Sequence, residues 1–126
     1  MPSETQVCRF TVHKYQGIGS TPQAALKDLI RQTQNLTYVR TGFKDLSGVD
    51  FRGCNLKHTE FYTCDLTECN FQGCDLTEVF FSNCTFDYTN FRGATLHQPR
   101  REYLERNWPS ALLGPAIDGN QLLLEF

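Results

Sequence analysis

Stepping along the chain five residues at a time from Leu46 meets Leu46, Phe51, Leu56, Phe61, Leu66, Phe71, Leu76, Phe81, Phe86, Phe91 and Leu96, eleven consecutive positions that are all Leu or Phe. A helix brings a side chain back to the same face about every 3.6 residues and a strand about every 2, so neither produces this period. The chain must turn every five residues. The position two before each Leu or Phe is restricted as well: after Lys44 it reads Val49, Cys54, Thr59, Cys64, Cys69, Cys74, Val79, Cys84, Thr89 and Ala94, all small or β-branched. The residue just before the Leu or Phe is usually Asp or Asn, as at Asp45, Asp50, Asn55, Asp65, Asn70, Asp75 and Asn90.

If four such sides make one turn, residues twenty apart stack and resemble each other. Residues 49–54, 69–74 and 89–94 do so, and each of these windows carries a glycine in the same register, Gly53, Gly73 and Gly93. A corner with positive φ is expected there, because glycine adopts that conformation without strain. Leu and Phe alternate until Phe86, which sets Leu opposite Leu and Phe opposite Phe across a four-sided interior.

Over residues 43–98 the chain resembles the pentapeptide-repeat family. That resemblance implies a mainly β fold, a right-handed quadrilateral β-helix in which these eleven repeats make about 2.75 coils. The sequence departs from the family's usual Ala-Asp/Asn-Leu pattern by Cys in place of Ala at five positions, by Phe80 at a polar position, and by Lys44 at an inward one.

The whole chain, residues 1–126, reads as a single domain. Residues 1–42 are expected to cap the solenoid with a strand and a helix. Cys8, Phe10 and Val12 alternate with polar residues, and Gly17-Ile18-Gly19 leads to Ser20-Thr21-Pro22, a helix start with a hydroxyl N-cap and an early proline. Residues 99–126 are expected to cap the other end with a helix near 100–107 and a hairpin at Asp118-Gly119. Trp108, Leu112, Leu113 and the late leucines Leu122 to Leu124 supply its apolar surface, for which a homodimer contact is the competing use, so monomer and homodimer both stay open.

At 126 residues, 40% hydrophobic and 21% charged with a formal net charge of −2, the chain suits one modest core. It lacks the basic excess of a protein that binds nucleic acid directly. No apolar run approaches the roughly 20 residues that span a bilayer, so no membrane partner is expected. Met1 to Gln6 lacks the basic start and apolar stretch of an export signal, which makes the cytoplasm the expected location and reduced thiols the expected state of the six cysteines.

No catalytic constellation is found, and no metal or cofactor is expected. The repeat cysteines lack metal-ligand spacing and read as small core residues, while His58 and His97 fall at outward positions away from them. A small enzyme or anion-binding protein using the Gly17–Thr21 turn is an alternative, and a purely structural scaffold is another.

What remains is surface. Residues 43–98 hold eight acidic and four basic side chains. One wall should display Asp45, Asp65, Glu68, Asp87 and Tyr88 in a single column without a basic residue, and another should place Tyr62 and Phe80 outward as an aromatic pair. The expectation is a non-catalytic protein-interaction module that binds a protein partner through its acidic face. Members of the resembling family that mimic duplex DNA and occupy DNA gyrase suggest an inhibitor or modulator of a DNA-handling protein, a topoisomerase or a phage or host-defence factor.

Overall fold

The computed structural model describes residues 7–114. The chain opens with a hairpin, β1 (Cys8–Val12) antiparallel to β2 (Tyr15–Gly19), followed by α1 (Pro22–Gln32). Thr21 caps α1 as its sequence predicts, its hydroxyl accepting from the Ala24 N–H at 3.1 Å, with Pro22 in the first turn. Gly17 and Gly19 were expected in a turn and instead lie in β2, opposite Phe10 and Cys8. The reason is space: a Cβ on either glycine would run into the backbone of α1 at Ala24 and Ala25, so only glycine lets helix and hairpin approach this closely. Ala25, Leu26 and Leu29 of α1 are buried with Phe10 and Val12 in the same core that the repeats fill.

From Asn35 onward the backbone pairs in parallel with itself at an offset of twenty residues. The rungs are Asn35 with Asn55, Asp45 with Asp65, Asp50 with Asn70, Asp65 with Thr85, Asn70 with Asn90, and Asp75 with Thr95. On one wall these pairings lengthen into a small three-stranded sheet of β3 (Arg40–Gly42), β4 (Glu60–Tyr62) and β5 (Phe80–Ser82), and elsewhere they remain single bridges. The result is a β-helix-like stack whose pairing begins ahead of residue 43, where the five-residue Leu/Phe pattern first becomes visible.

Every Leu or Phe of the five-residue ladder is buried apart from Phe81, which is partly buried against the others. The rings stack by column: Phe51 on Phe71 at 4.8 Å and Phe71 on Phe91 at 5.5 Å, both nearly parallel, with Phe61 on Phe81 at 5.4 Å. Across the interior Phe51 meets Phe61 edge to face at 5.6 Å, so Phe does oppose Phe. The restricted position two residues earlier has a second use beyond small size. Thr59 and Thr89 donate to the carbonyls of Leu36 and Leu66 at 2.6 and 2.7 Å, and Cys69 and Cys74 donate to those of Leu46 and Phe51 at 3.0 and 3.3 Å, each reaching back 23 residues. These bonds tie one layer to the layer before it.

Lys44 stands where a small residue is the rule because the layer before it is the hairpin: its ammonium lies 5.8 Å over the Phe10 ring. After the last repeat, α2 (Gln98–Asn107) crosses the end of the stack, burying Leu104. Trp108 then packs edge-on to Phe86 at 5.9 Å, and Leu112 returns to pair with Asn90. The expected hairpin at Asp118-Gly119 and the late leucines Leu122 to Leu124 lie outside the described residues. Among the described residues no helix is long and apolar enough to cross a membrane.

Candidate protein-interaction surface

The wall from residues 45 to 48 and its two counterparts, 65 to 68 and 85 to 88, stack by direct backbone bonds, including Leu46 N–H to Asp65 O at 2.9 Å and Glu68 N–H to Asp87 O at 2.9 Å. The wall therefore brings Asp45, Asp65, Glu68, Asp87 and Tyr88 onto one face. They do not form the single column expected from the sequence. Asp45 and Asp65 share a register, Asp87 belongs to that of Ser47 and Thr67, and Glu68 and Tyr88 belong to the corner headed by Gly48.

The five residues also differ in what holds them. Asp45 accepts from the Ser47 N–H at 3.0 Å and the Ser47 hydroxyl at 2.6 Å. Asp65 accepts from the Thr67 N–H at 3.0 Å and the Thr85 hydroxyl at 2.8 Å. The same side-chain-to-backbone bond, two residues on, recurs at Asn35, Asp50, Asn55, Asn70, Asp75 and Asn90. The Asp/Asn preference ahead of each Leu or Phe is thus corner chemistry: the side-chain oxygen satisfies an N–H that the bend leaves unpaired. At Asp65 the Thr67 hydroxyl and N–H hold the carboxyl below the usual carboxylate range despite partial burial. Asp87 accepts from the Ser110 hydroxyl at 3.2 Å, and that hydroxyl in turn accepts from the Tyr88 N–H at 3.1 Å. Glu68 and Tyr88 sit at exposed corners with φ of 60° and 55°.

Charge separates this wall from the others. Elsewhere on the stack most carboxylates have cations beside them: Asp50 with Arg52 at 2.8 Å, Glu60 with Arg40 at 3.0 Å, Glu78 with Lys57 at 3.7 Å, whereas Asp75 bonds only to Thr77. Asp45, Asp65, Glu68 and Asp87 take part in no ion pair among the described residues.

Tyr62 and Phe80 lie outward on one wall, in the neighbouring strands β4 and β5, but among the described residues their rings are not in contact. Tyr62 is half-buried, its ring lying over Gly42 with Phe43 edge-on at 5.6 Å and the Arg40 guanidinium 5.5 Å above it. Phe80 is 54% exposed and registers with Glu60. The most exposed aromatics are residues the sequence reading passed over, Phe43 at 77% and Tyr38 at 71%, both at positive φ. Their signal was available in the ladder: both fall on the corner register of Gly48 and Gly53, where side chains point away from the core.

Cys54, Cys64, Cys69, Cys74 and Cys84 are buried, and Cys8 is half-buried in the hairpin. Burial pushes the Cys54 and Cys69 thiols up to about 12 and Cys74 to about 11. Cys64 and Cys84, stacked one layer apart, act on each other: their interaction lowers the Cys64 thiol and raises that of Cys84, while each donates to backbone carbonyls, Cys64 to Thr41 and Cys84 to Phe61. No group of three or more metal-ligating side chains gathers among the described residues. The Gly17–Thr21 segment offers little to an anion. The Ile18 N–H already donates to the Asp28 carboxylate at 3.0 Å, and Thr21 occupies the first turn of α1.

A sequence model described as pentapeptide repeats matches the chain in 8 copies, over residues 45–83 and 64–98. No curated protein and no solved structure matches it.

Proposed function

We propose that the chain, whose residues 45–98 match the pentapeptide-repeat model, is a non-catalytic protein-interaction module whose acidic wall docks onto a basic surface of a partner protein. The observation that carries this reading is the uncompensated charge of four carboxylates, Asp45, Asp65, Glu68 and Asp87, gathered on one wall, where the other walls pair Asp50, Glu60 and Glu78 with bases and leave only Asp75 without one. A face of one sign raises encounter rates with a partner of the other sign and excludes partners of its own. Tyr88, 62% exposed beside these carboxylates, supplies the aromatic contact that charge alone lacks.

The reading extends to the kind of partner. Carboxylates held at fixed spacing on a rigid stack imitate a row of phosphates, so a DNA-handling protein is the natural target and inhibition or modulation the natural consequence. The family's right-handed, four-sided winding belongs to this reading. At about 2.75 coils, with rungs about 4.8 Å apart, the charged face is short. It suits a small basic patch better than a long DNA channel, and so a compact blocker better than a full-length duplex mimic. Six unpaired cysteines suit a reducing compartment such as the cytoplasm.

Affinity capture from the native host, followed by competition with duplex DNA, tests this reading. A captured DNA-binding partner, released by DNA and by salt, supports it. A partner that binds the Glu68→Lys/Asp87→Lys protein as tightly as the parent sinks it, as does measurable turnover of any substrate by the protein alone.

A further inference from the structure

The β1–β2 hairpin and the first layer of the stack do not close on each other. A groove of about 520 Å³ runs between them, lined on one side by Arg9 to His13 and on the other by residues 37–42. Successive strand residues point to opposite faces, so a groove touched by every residue of a strand follows its edge, not its face. Among the described residues both edges are unpaired: β1 pairs only with β2, and β3 is the outer strand of the order β3-β4-β5. No Cα of β1 comes within 8 Å of one in β3. Paired strands lie about 4.8 Å apart, so β1 and β3 are too far apart to pair with each other, and a strand lying between them would need about 10 Å.

The lining has a sign. Arg9, Arg40 and Lys44 border the groove and no Asp or Glu does. Arg40 is engaged by Glu60, whereas Arg9 and Lys44 take part in no ion pair among the described residues. Thr41, on the same lining, keeps a hydroxyl without a hydrogen-bond partner among the described residues.

We propose that this groove is a second docking site, which takes an extended acidic peptide segment of another protein by strand addition between β1 and β3. Backbone bonds to the two edges supply the pairing, and Arg9 and Lys44 hold the peptide's carboxylates. The site is opposite in charge to the acidic wall and does not depend on it.

The test uses the full chain and a fluorescein-labelled peptide, Thr-Glu-Val-Glu-Val-Glu-Thr, followed by anisotropy at low salt. Saturable binding is expected. It should weaken about tenfold or more when the peptide's central amides are N-methylated, when Lys replaces its Glu, or when the protein carries Arg9→Glu. Arg9 is exposed, so its variant should keep the parent's circular dichroism; Lys44→Gln provides a second, milder variant expected to weaken binding in the same direction. Hydrogen exchange at Thr11 and Gly42 should slow when the peptide is added, while Glu68→Lys/Asp87→Lys leaves peptide affinity unchanged. Absence of saturable binding at millimolar protein overturns the proposal. So does equal affinity for the N-methylated peptide, or full displacement by inorganic phosphate, either of which would reduce the groove to a cationic patch.

Discussion

The Thr85 hydroxyl donates to the Asp65 carboxylate at 2.8 Å, joining two layers of the stack across twenty residues of chain. Asp65 therefore serves the fold and the acidic face at once. Glu68, three residues on, makes no side-chain hydrogen bond among the described residues and serves the face alone.

Asp65→Lys should cost about 1 to 2 kcal/mol, since it strips the Thr67 N–H and the Thr85 hydroxyl of their acceptor. Glu68→Lys should change stability by less than about 0.5 kcal/mol. Urea unfolding followed by circular dichroism separates the two. Equal effects would mean that the corner acceptors contribute nothing.

Acid should weaken the fold through the same carboxylates. Asp28, Asp50, Asp65 and Asp75 each titrate below the usual carboxylate value in the folded chain. The largest causes are the Ile18 N–H, the Arg52 side chain, and the Thr67 and Thr77 hydroxyls respectively. A lowered folded-state pKa contributes stability that is present above the unfolded value, about 3.9, and lost as pH falls through the folded one. Melting temperature should accordingly be flat from pH 7 to about pH 5 and fall below about pH 4, less steeply in Asp65→Asn. A flat profile to pH 2 would remove these carboxylates from the stability account.

Phe71 lies fully buried between the Phe51 and Phe91 rings. Phe71→Ala opens the middle of that stack and should cost about 3 to 5 kcal/mol. Calorimetry or denaturant titration measures it, and a cost below about 1 kcal/mol would contradict the inward register.

The cysteines should separate by access rather than by acidity. In the native protein Cys8 should react first with a thiol reagent, and the five repeat cysteines only after unfolding. Cys64 belongs with the slow group although its neighbour Cys84 lowers its thiol, because it is only 2% exposed. Cys69→Thr should be tolerated at under about 1 kcal/mol, because Thr89, one layer on in the same register, already makes the equivalent bond to a carbonyl 23 residues back. Immediate labelling of all six, or collapse of Cys69→Thr, would contradict this.

Much of this was legible in the sequence because a five-residue ladder has few geometric solutions. The inward Leu and Phe residues, the stacking of residues twenty apart, the glycine corners at Gly53, Gly73 and Gly93, and the Thr21 cap all follow from local chemistry. Three things did not. Gly17 and Gly19 looked like a turn because their reason for being glycine is the backbone of α1, which no local pattern reveals. The Asp and Asn ahead of each Leu or Phe were visible as a preference, but their role emerges only with the N–H two residues on in view. Tyr62 and Phe80 share a wall as the register implies, but register alone does not show neighbours, and Phe43 and Arg40 pack on the Tyr62 ring.

The twenty-residue pairing also governs which changes in length the chain can tolerate. Inserting or deleting five residues would keep every later Leu and Phe pointing inward, at the cost of setting Leu over Phe in the stacked columns. Everything downstream would also advance by one wall, and carboxylates that now face one way would be distributed around the molecule. Only a change of twenty residues preserves both interior and exterior. Length variants of this chain should therefore divide into those that fold with a scrambled surface and those that fold with the surface merely extended.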